Sequence, residues 1–275
     1  MTTENFKIDN IIAIASGKGG VGKSTCAVNL AVALGRQGAK VGLLDADIYG
    51  PNIPTMLGAQ GPPRIKDNRI QPVLTYGLKI MSMGFVMKRE QAVVWRGPML
   101  HNALQQLFQD VAWGDLDYLL IDLPPGTGDV QLSLAQIVSL TGAVIITTPQ
   151  DVALEDVHKG MNAFEQLRVP LLGVVENMSY FRCPHCGERT DIFSHGGGRQ
   201  AAEKLDIPFL GEVALDPAIR AGGDDGQPIT AVAHHSPQAQ SFMVIAKALV
   251  AKLEELAEKR PSSPTIQITD ISIME

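Results

Sequence analysis

Gly17-Lys18-Gly19-Gly20-Val21-Gly22-Lys23-Ser24 is the stretch on which the reading of this chain turns. Every fixed position of the phosphate-loop template G-x-x-x-x-G-K-S/T is filled, and both flanks are of the required kind. A β-branched apolar run at 11–15 precedes it. A helical pattern from Lys23 to about Arg36 follows and stops near Gly38, a candidate left-handed cap. The glycines let the backbone curl until successive N–H groups face one centre, and the new helix adds the positive end of its dipole. Both features favour an anion, so Gly17, Gly19, Gly20, Val21 and Gly22 are expected to cradle phosphates. Lys23 sets a cation on the outer phosphates, the Ser24 hydroxyl can ligate Mg2+, and Thr25 adds a hydroxyl toward the inner phosphates. The expected ligand is ATP with Mg2+.

Working outward, further apolar runs lie at 41–44, 118–121, 143–147, 171–175 and 208–213, separated by longer helical patterns. Runs that are continuous rather than alternating suit strands buried on both faces of a parallel sheet. Strands that alternate with helices predict an α/β class, a doubly wound, mostly parallel sheet flanked by helices. Residues 50–69, rich in Pro and Gly, are expected as a loop, and 75–86 as a small hairpin. The last helix, 238–260, sets Phe242, Ile245, Leu249, Leu253 and Leu256 along one side and is expected to pack on the sheet. The domain expectation is one P-loop domain over 1–260 with a metal-binding loop at 179–198. A Ser/Pro/Thr-rich tail at 261–275 is expected to be mobile.

Composition narrows the partners. The net charge is −6 over 275 residues, and an acidic surface gains nothing from neutralising phosphates, so nucleic acid is not expected. No apolar run reaches about 18 residues, so no membrane span is expected. Residues 1–9 are polar and carry both charge signs, unlike a signal or transit peptide, which predicts a cytoplasmic protein. Three cysteines, an odd number, argue there against a disulfide framework.

Carboxylates at strand ends come next, because in an open parallel sheet those ends face the ligand crevice. Asp122 closes the run at 118–121 and is expected to hold the Mg2+ water shell. Asp45 and Asp47 close the second run, where a carboxylate can orient the attacking water or hold the metal shell. Asp129 has helix N-capping as a rival role. Lys18 occupies a position that the template leaves free, and taken alone it reads as a solvated side chain.

The string from Lys18 to Thr25 resembles the deviant Walker A motif of the group that holds nitrogenase iron protein, MinD and ParA. That resemblance implies that Lys18 reaches across a nucleotide-sandwich dimer to the partner's phosphates, much as an arginine finger does. Within the group the chain is most similar, over 11–259, to the Mrp/ApbC family of ATP-dependent iron–sulfur cluster carriers. The telling pieces are Leu44-Asp45-Ala46-Asp47-Ile48-Tyr49-Gly50-Pro51-Asn52, Asp122-Leu123-Pro124-Pro125-Gly126-Thr127-Gly128-Asp129, Glu176-Asn177-Met178-Ser179 and Cys183-Pro184-His185-Cys186-Gly187. The resemblance implies slow ATP hydrolysis with Asp47 positioning the water. It makes 122–129 a second switch linking the γ-phosphate to the cluster, and Asn177 the reader of adenine.

Cys183 and Cys186 stand at C-x-x-C spacing inside a turn. Two thiols do not complete a tetrahedral site, and no second pair exists in the chain. A homodimer with its twofold axis at this loop supplies four thiolates, enough for one bridging 4Fe-4S cluster, and the family resemblance implies the same arrangement with apo iron–sulfur proteins as recipients. Structural zinc suits four thiolates as well. His195 is a further candidate ligand, though its place beside Gly196 reads as a loop histidine. A redox dithiol fits poorly, since such pairs open a helix. Cys26, on the first helix, reads as a small buried apolar residue. The alternative function is a MinD/ParA-like positioning ATPase with zinc at its dimer interface. Against it, the chain lacks a basic amphipathic C-terminal helix.

Overall fold

The computed structural model describes residues 7–59, 61–86, 97–126, 129–150 and 153–259. The expected tail at 261–275 lies outside them, as do Thr127 and Gly128 of the expected second switch.

In chain order the first half holds β1 (Ile8–Ala15), α1 (Lys23–Arg36), β2 (Val41–Asp45), α2 (Ile53–Met56), β3 (Arg64–Lys66), β4 (Arg69–Gln71), β5 (Val73–Thr75), β6 (Leu78–Ser82), α3 (Met83–Val86) and α4 (Gly97–Gln109). The second half holds β7 (Leu116–Asp122), α5 (Asp129–Ile137), β8 (Gly142–Thr147), α6 (Ala153–Gln166), β9 (Leu171–Glu176), β10 (Phe181–Arg182), β11 (Arg189–Thr190), α7 (Gly197–Lys204), β12 (Phe209–Glu212), α8 (Pro217–Asp224), α9 (Ile229–Val232) and α10 (Pro237–Lys259).

Eight strands form one sheet in the order β12-β9-β8-β1-β7-β2-β6-β5. Every pairing is parallel except that of β5 with β6. The doubly wound α/β class expected from the sequence is the one observed. Side chains alternate across each strand with period two. Ile12 and Ile14 therefore join the cluster on one face, beneath α1 and α10, while Ile11, Ala13 and Ala15 join the other, beneath α4, α5, α6 and α7. Both faces are covered, which is why the strands read as unbroken apolar runs. Phe242, Ile245, Leu249 and Leu253 of α10 are buried, as the helical spacing predicted, and Leu256 packs at the margin.

Two differences from the sequence reading concern short elements. Segment 50–69, expected as a loop, contains α2 and β3, and β3 pairs with β4 around Asp67 and Asn68, both at positive φ. The hairpin expected at 75–86 is β5 with β6, beginning two residues earlier and turning at Tyr76 and Gly77, again both at positive φ. Two successive left-handed residues give the mirror-image turn that matches strand twist.

Register then positions the site. Ile14 is level with Asp122, Asp122 with Asp45, and Asp45 with Ser82. The carboxyl ends of β1, β7, β2 and β6 thus form one row, with the phosphate loop leaving from its β1 end.

Candidate functional site

The phosphate loop is shaped by glycine in two ways. Gly20 and Gly22 sit at φ 80 and 77, left-handed values that a side chain disfavours. Gly17 and Gly22 are also pressed by neighbours: a Cβ on Gly17 would lie 2.4 Å from the Asp156 carbonyl oxygen, and one on Gly22 would lie 2.2 Å from Asn177 Nδ2. No side chain caps the N-terminus of α1, so its first N–H groups remain available to an anion.

Behind the loop, Lys23 Nζ lies 2.5 Å from Asp122 Oδ1, and Ser24 Oγ donates to Asp122 Oδ2 at 2.5 Å. Burial pushes the Asp122 carboxyl up from its ordinary value, while the Lys23 charge and the hydrogen bonds from Lys23 and Ser24 pull it back. One buried carboxylate therefore holds the cation and the hydroxyl that a magnesium nucleotide needs. This donor set fits Mg2+ held through Ser24 with Asp122 behind it.

Asp45 and Asp47 take different positions. Asp47 lines the cavity, and its Oδ1 accepts the N–H groups of Tyr49 and Gly50 at 3.1 and 3.2 Å, a turn that leaves the second oxygen uncommitted to the loop. Asp45 does not line the cavity. It accepts from Ser82 Oγ at 2.9 Å and from the backbone of Asp47 and Ile53 at 3.2 Å. Its geometry is that of a brace for the loop carrying Asp47, which departs from the water-orienting or metal-holding role expected of it. Burial, and secondly the charge of Asp122, push its carboxyl up to about 7.

The cavity measures about 670 Å³ and runs from Lys18 through Thr25, past Asn177 and Met178, to Leu215, Asp216 and Arg220 on and before α8. Asn177 Nδ2 donates to Val21 O at 2.9 Å, so the residue expected to read adenine also ties β9 to the phosphate loop. Asp216 caps α8 by accepting from Ala218 N at 2.7 Å. This far wall was not identified from the sequence, although Asp216-Pro217 is a legible helix-start signal. Also missed were the partners of Lys18. Its Nζ lies 3.0 Å from Asp156 Oδ2 and 3.0 Å from Gln150 Oε1, all within one chain. Asp129 is the first helical residue of α5.

Cys183 and Cys186 lie about the tip of a ribbon formed by β10 and β11. Cys183 N donates to Glu188 O and Gly187 N to Cys183 O, each at 2.9 Å. Cys186 is exposed and Cys183 half-buried. The N–H groups of Cys186 and His185, with the Cys186 thiol, hold the Cys183 thiol below its ordinary value, which favours the thiolate that ligates metal. Cys26 is buried, and burial pushes its thiol up to about 12, in keeping with an inert core residue. His195 sits apart at the ribbon's base, where Arg189 Nη2 donates to its Nδ1 at 2.7 Å, and its ligand atoms lie within 4.8 Å of those of Glu176 and Glu212.

A ParA family model described as NUBPL iron-transfer P-loop NTPase matches residues 7–250. The chain is 49% identical over 268 residues to the iron-sulfur cluster transfer protein NUBPL of Dictyostelium discoideum, covering 95% of this chain and 83% of that one. It is 51% identical over 257 residues to the iron-sulfur cluster carrier protein of Synechocystis, covering 91% and 73%. Among solved structures, the nucleotide-binding protein of Archaeoglobus fulgidus, in complex with ADP and with cobalt found in it, aligns with TM-score 0.74 and 42% identity over 86% of this chain and 92% of that one. The cell division ATPase MinD of Pyrococcus furiosus aligns with TM-score 0.67 and 26% identity over 90% and 100%.

Proposed function

The chain belongs to the ParA-type NUBPL iron-transfer P-loop NTPase family, and from that premise we propose that it is an ATP-hydrolysing homodimer that carries a 4Fe-4S cluster between its subunits and hands it to apo iron–sulfur proteins. The observation that carries this reading is the cysteine ribbon. It offers two thiols per chain at the tip of a loop, one of them biased toward the thiolate, and two copies complete a set of four.

The nucleotide chemistry follows from the row of strand ends. Lys23 leaves Asp122 for the outer phosphates, Ser24 and Asp122 hold Mg2+ and its water shell, and the free oxygen of Asp47 orients water toward the γ-phosphorus. A bond forms from that water oxygen to phosphorus as the β–γ bridging bond breaks, giving ADP and phosphate. Lys18 of the partner subunit steadies the charge, and Asn177 reads the base. A chain without a helix long and apolar enough to cross a membrane, among the described residues, suits a carrier working in the cytoplasm.

Anaerobic reconstitution with iron and sulfide tests the cargo. The parent and Cys26→Ala should take up one cluster per dimer, with broad visible absorption, while Cys183→Ala and Cys186→Ala should hold none yet still bind MgATP. A colourless parent carrying one zinc per dimer would refute the carrier reading and leave a zinc-stapled ATPase.

A further inference from the structure

The cysteine ribbon is rooted in the wall of the nucleotide cavity. Met178 and Leu215 line that cavity. Leu215 N donates to Tyr180 O at 2.7 Å, and Leu215 forms a parallel bridge with Phe181. Phe181 is the first residue of β10 and pairs with Thr190 of β11, so a cavity-lining residue is bonded directly to the base of the loop that presents Cys183 and Cys186. This route leaves from the end of the cavity just after β9 and β12, where Asn177 is expected to read the base. It is separate from the expected second switch, which leaves from β7 at the γ-phosphate end.

A side-chain route runs beside the backbone one. Glu176 closes β9, next to Asn177, and is fully buried. Its Oε1 accepts from Ser179 Oγ at 2.5 Å and from Gly196 N at 3.2 Å, and its Oε2 accepts from Gly198 N at 2.5 Å. Ser179 Oγ also lies 3.0 Å from Glu212 Oε2. Glu212 Oε1 in turn faces Arg189 Nη1 at 3.8 Å. Arg189 belongs to β11, level with Arg182, the residue before Cys183. Its guanidinium stacks 4.1 Å from the Tyr180 ring centroid, Nε donates to Asp191 at 3.1 Å, and Nη2 donates to His195. A planar fork with several donors can meet an aromatic face and three acceptors at once, which a lysine cannot do.

We propose that Arg189 is a positioning residue that fastens the cysteine ribbon to the β9–β12 wall, so that filling the nucleoside end of the cavity changes access to both thiols. Nucleotide is then sensed through Met178 and Leu215, without need of a γ-phosphate. The inference rests on the carrier reading for its purpose, because the thiols are the cargo ligands there, while the mechanical link belongs to the metal-free chain and is measured on it.

The test is the alkylation rate of Cys183 and Cys186 by iodoacetamide in the full-length metal-free protein, with and without saturating MgADP, read by mass spectrometry. Site-to-site coupling of ordinary strength would change the parent's rate by about fivefold or more. Arg189→Ala should bring the ratio of the two rates to near one while ADP affinity, measured separately, stays at the parent's value. A merely structural loss would instead raise both rates together and leave the ratio intact. Glu212→Gln, which keeps the side chain's size and removes its charge, carries the same expectation should Arg189→Ala fail to fold. A parent rate indifferent to MgADP, or a variant that folds and keeps the parent's ratio, would overturn the proposal. Failure to load iron would sink the carrier reading alone and would leave the alkylation ratio standing.

Discussion

In the isolated chain the Lys18 ammonium is tied to its own α6 side of the cavity, by Asp156 and Gln150. The lysine is about one-third exposed and Asp156 only 10%, so the pair is partly screened and is worth up to about 1 kcal/mol. Before Lys18 can reach phosphates on a second subunit, that tether must open. Lys18→Ala should bind MgATP like the parent but lose turnover. Asp156→Asn should release the lysine and speed turnover by about fivefold, the factor that 1 kcal/mol commands. Steady-state phosphate release measures both. Turnover in Asp156→Asn falling to the level of Lys18→Ala would mean that Asp156 serves the assembled site and is no tether. Asp45 supplies a second prediction at this scale. Its carboxyl titrates near 7 in the folded chain against 3.8 ordinarily, so the folded state keeps a proton that the unfolded chain gives up. The stability tied to that proton is complete below about pH 4, drains as the pH climbs to about 7, and changes no further above it. Asp45→Asn carries no such charge at any pH. Relative to the parent, its denaturant midpoint should therefore gain steadily from pH 4 to pH 7 and then level off. Parallel profiles for the two proteins would show that Asp45 ionises normally.

Elements differ in how much of themselves they write into the sequence. The phosphate loop and α1 were legible to the residue, because a fixed template, a strand before and a glycine stop after leave one conformation open. The central strands were legible because both faces of the sheet are covered, so each strand is an unbroken apolar run. The three-residue strands β3, β4 and β5 carry too few residues for a period to register, and tertiary contact decides them: Ile70 bridges to Val111, far along the chain. Asp67-Asn68 was nonetheless a readable turn between two short β-branched segments. The cysteine spacing singled out a candidate metal loop. The ribbon that mounts it does not show in sequence, since β10 and β11 contribute two residues each. The same holds for the cavity's far wall and for the Asp156 tether, both assembled by residues remote from the phosphate loop in sequence.

At the scale of the whole molecule, the nucleotide cavity joins the two ends of the chain. Its walls come from residues 16–25 and from 214–224, with Asp47 to Met56 and Pro125 beside them and Asn177 clasping β9 to the phosphate loop between them. A ligand seated there touches segments that follow strands on both sides of β1, in a sheet whose two faces are covered by continuous apolar clusters. Such an arrangement should unfold as one unit, and a ligand that binds only the folded chain should shift the entire transition. MgADP at one hundred times its dissociation constant would add about 2.7 kcal/mol. For a domain of about this size each kcal/mol moves the midpoint by about 2–4 °C, so a rise of about 5–10 °C is expected in calorimetry. Lys23→Ala, deprived of the cation that faces the outer phosphates, should show almost no rise. A trace with two transitions, only one of them moved by MgADP, would mean that β9, β12 and the cysteine ribbon melt apart from the phosphate loop, and the clasp made by Asn177 would then be too weak to unite them.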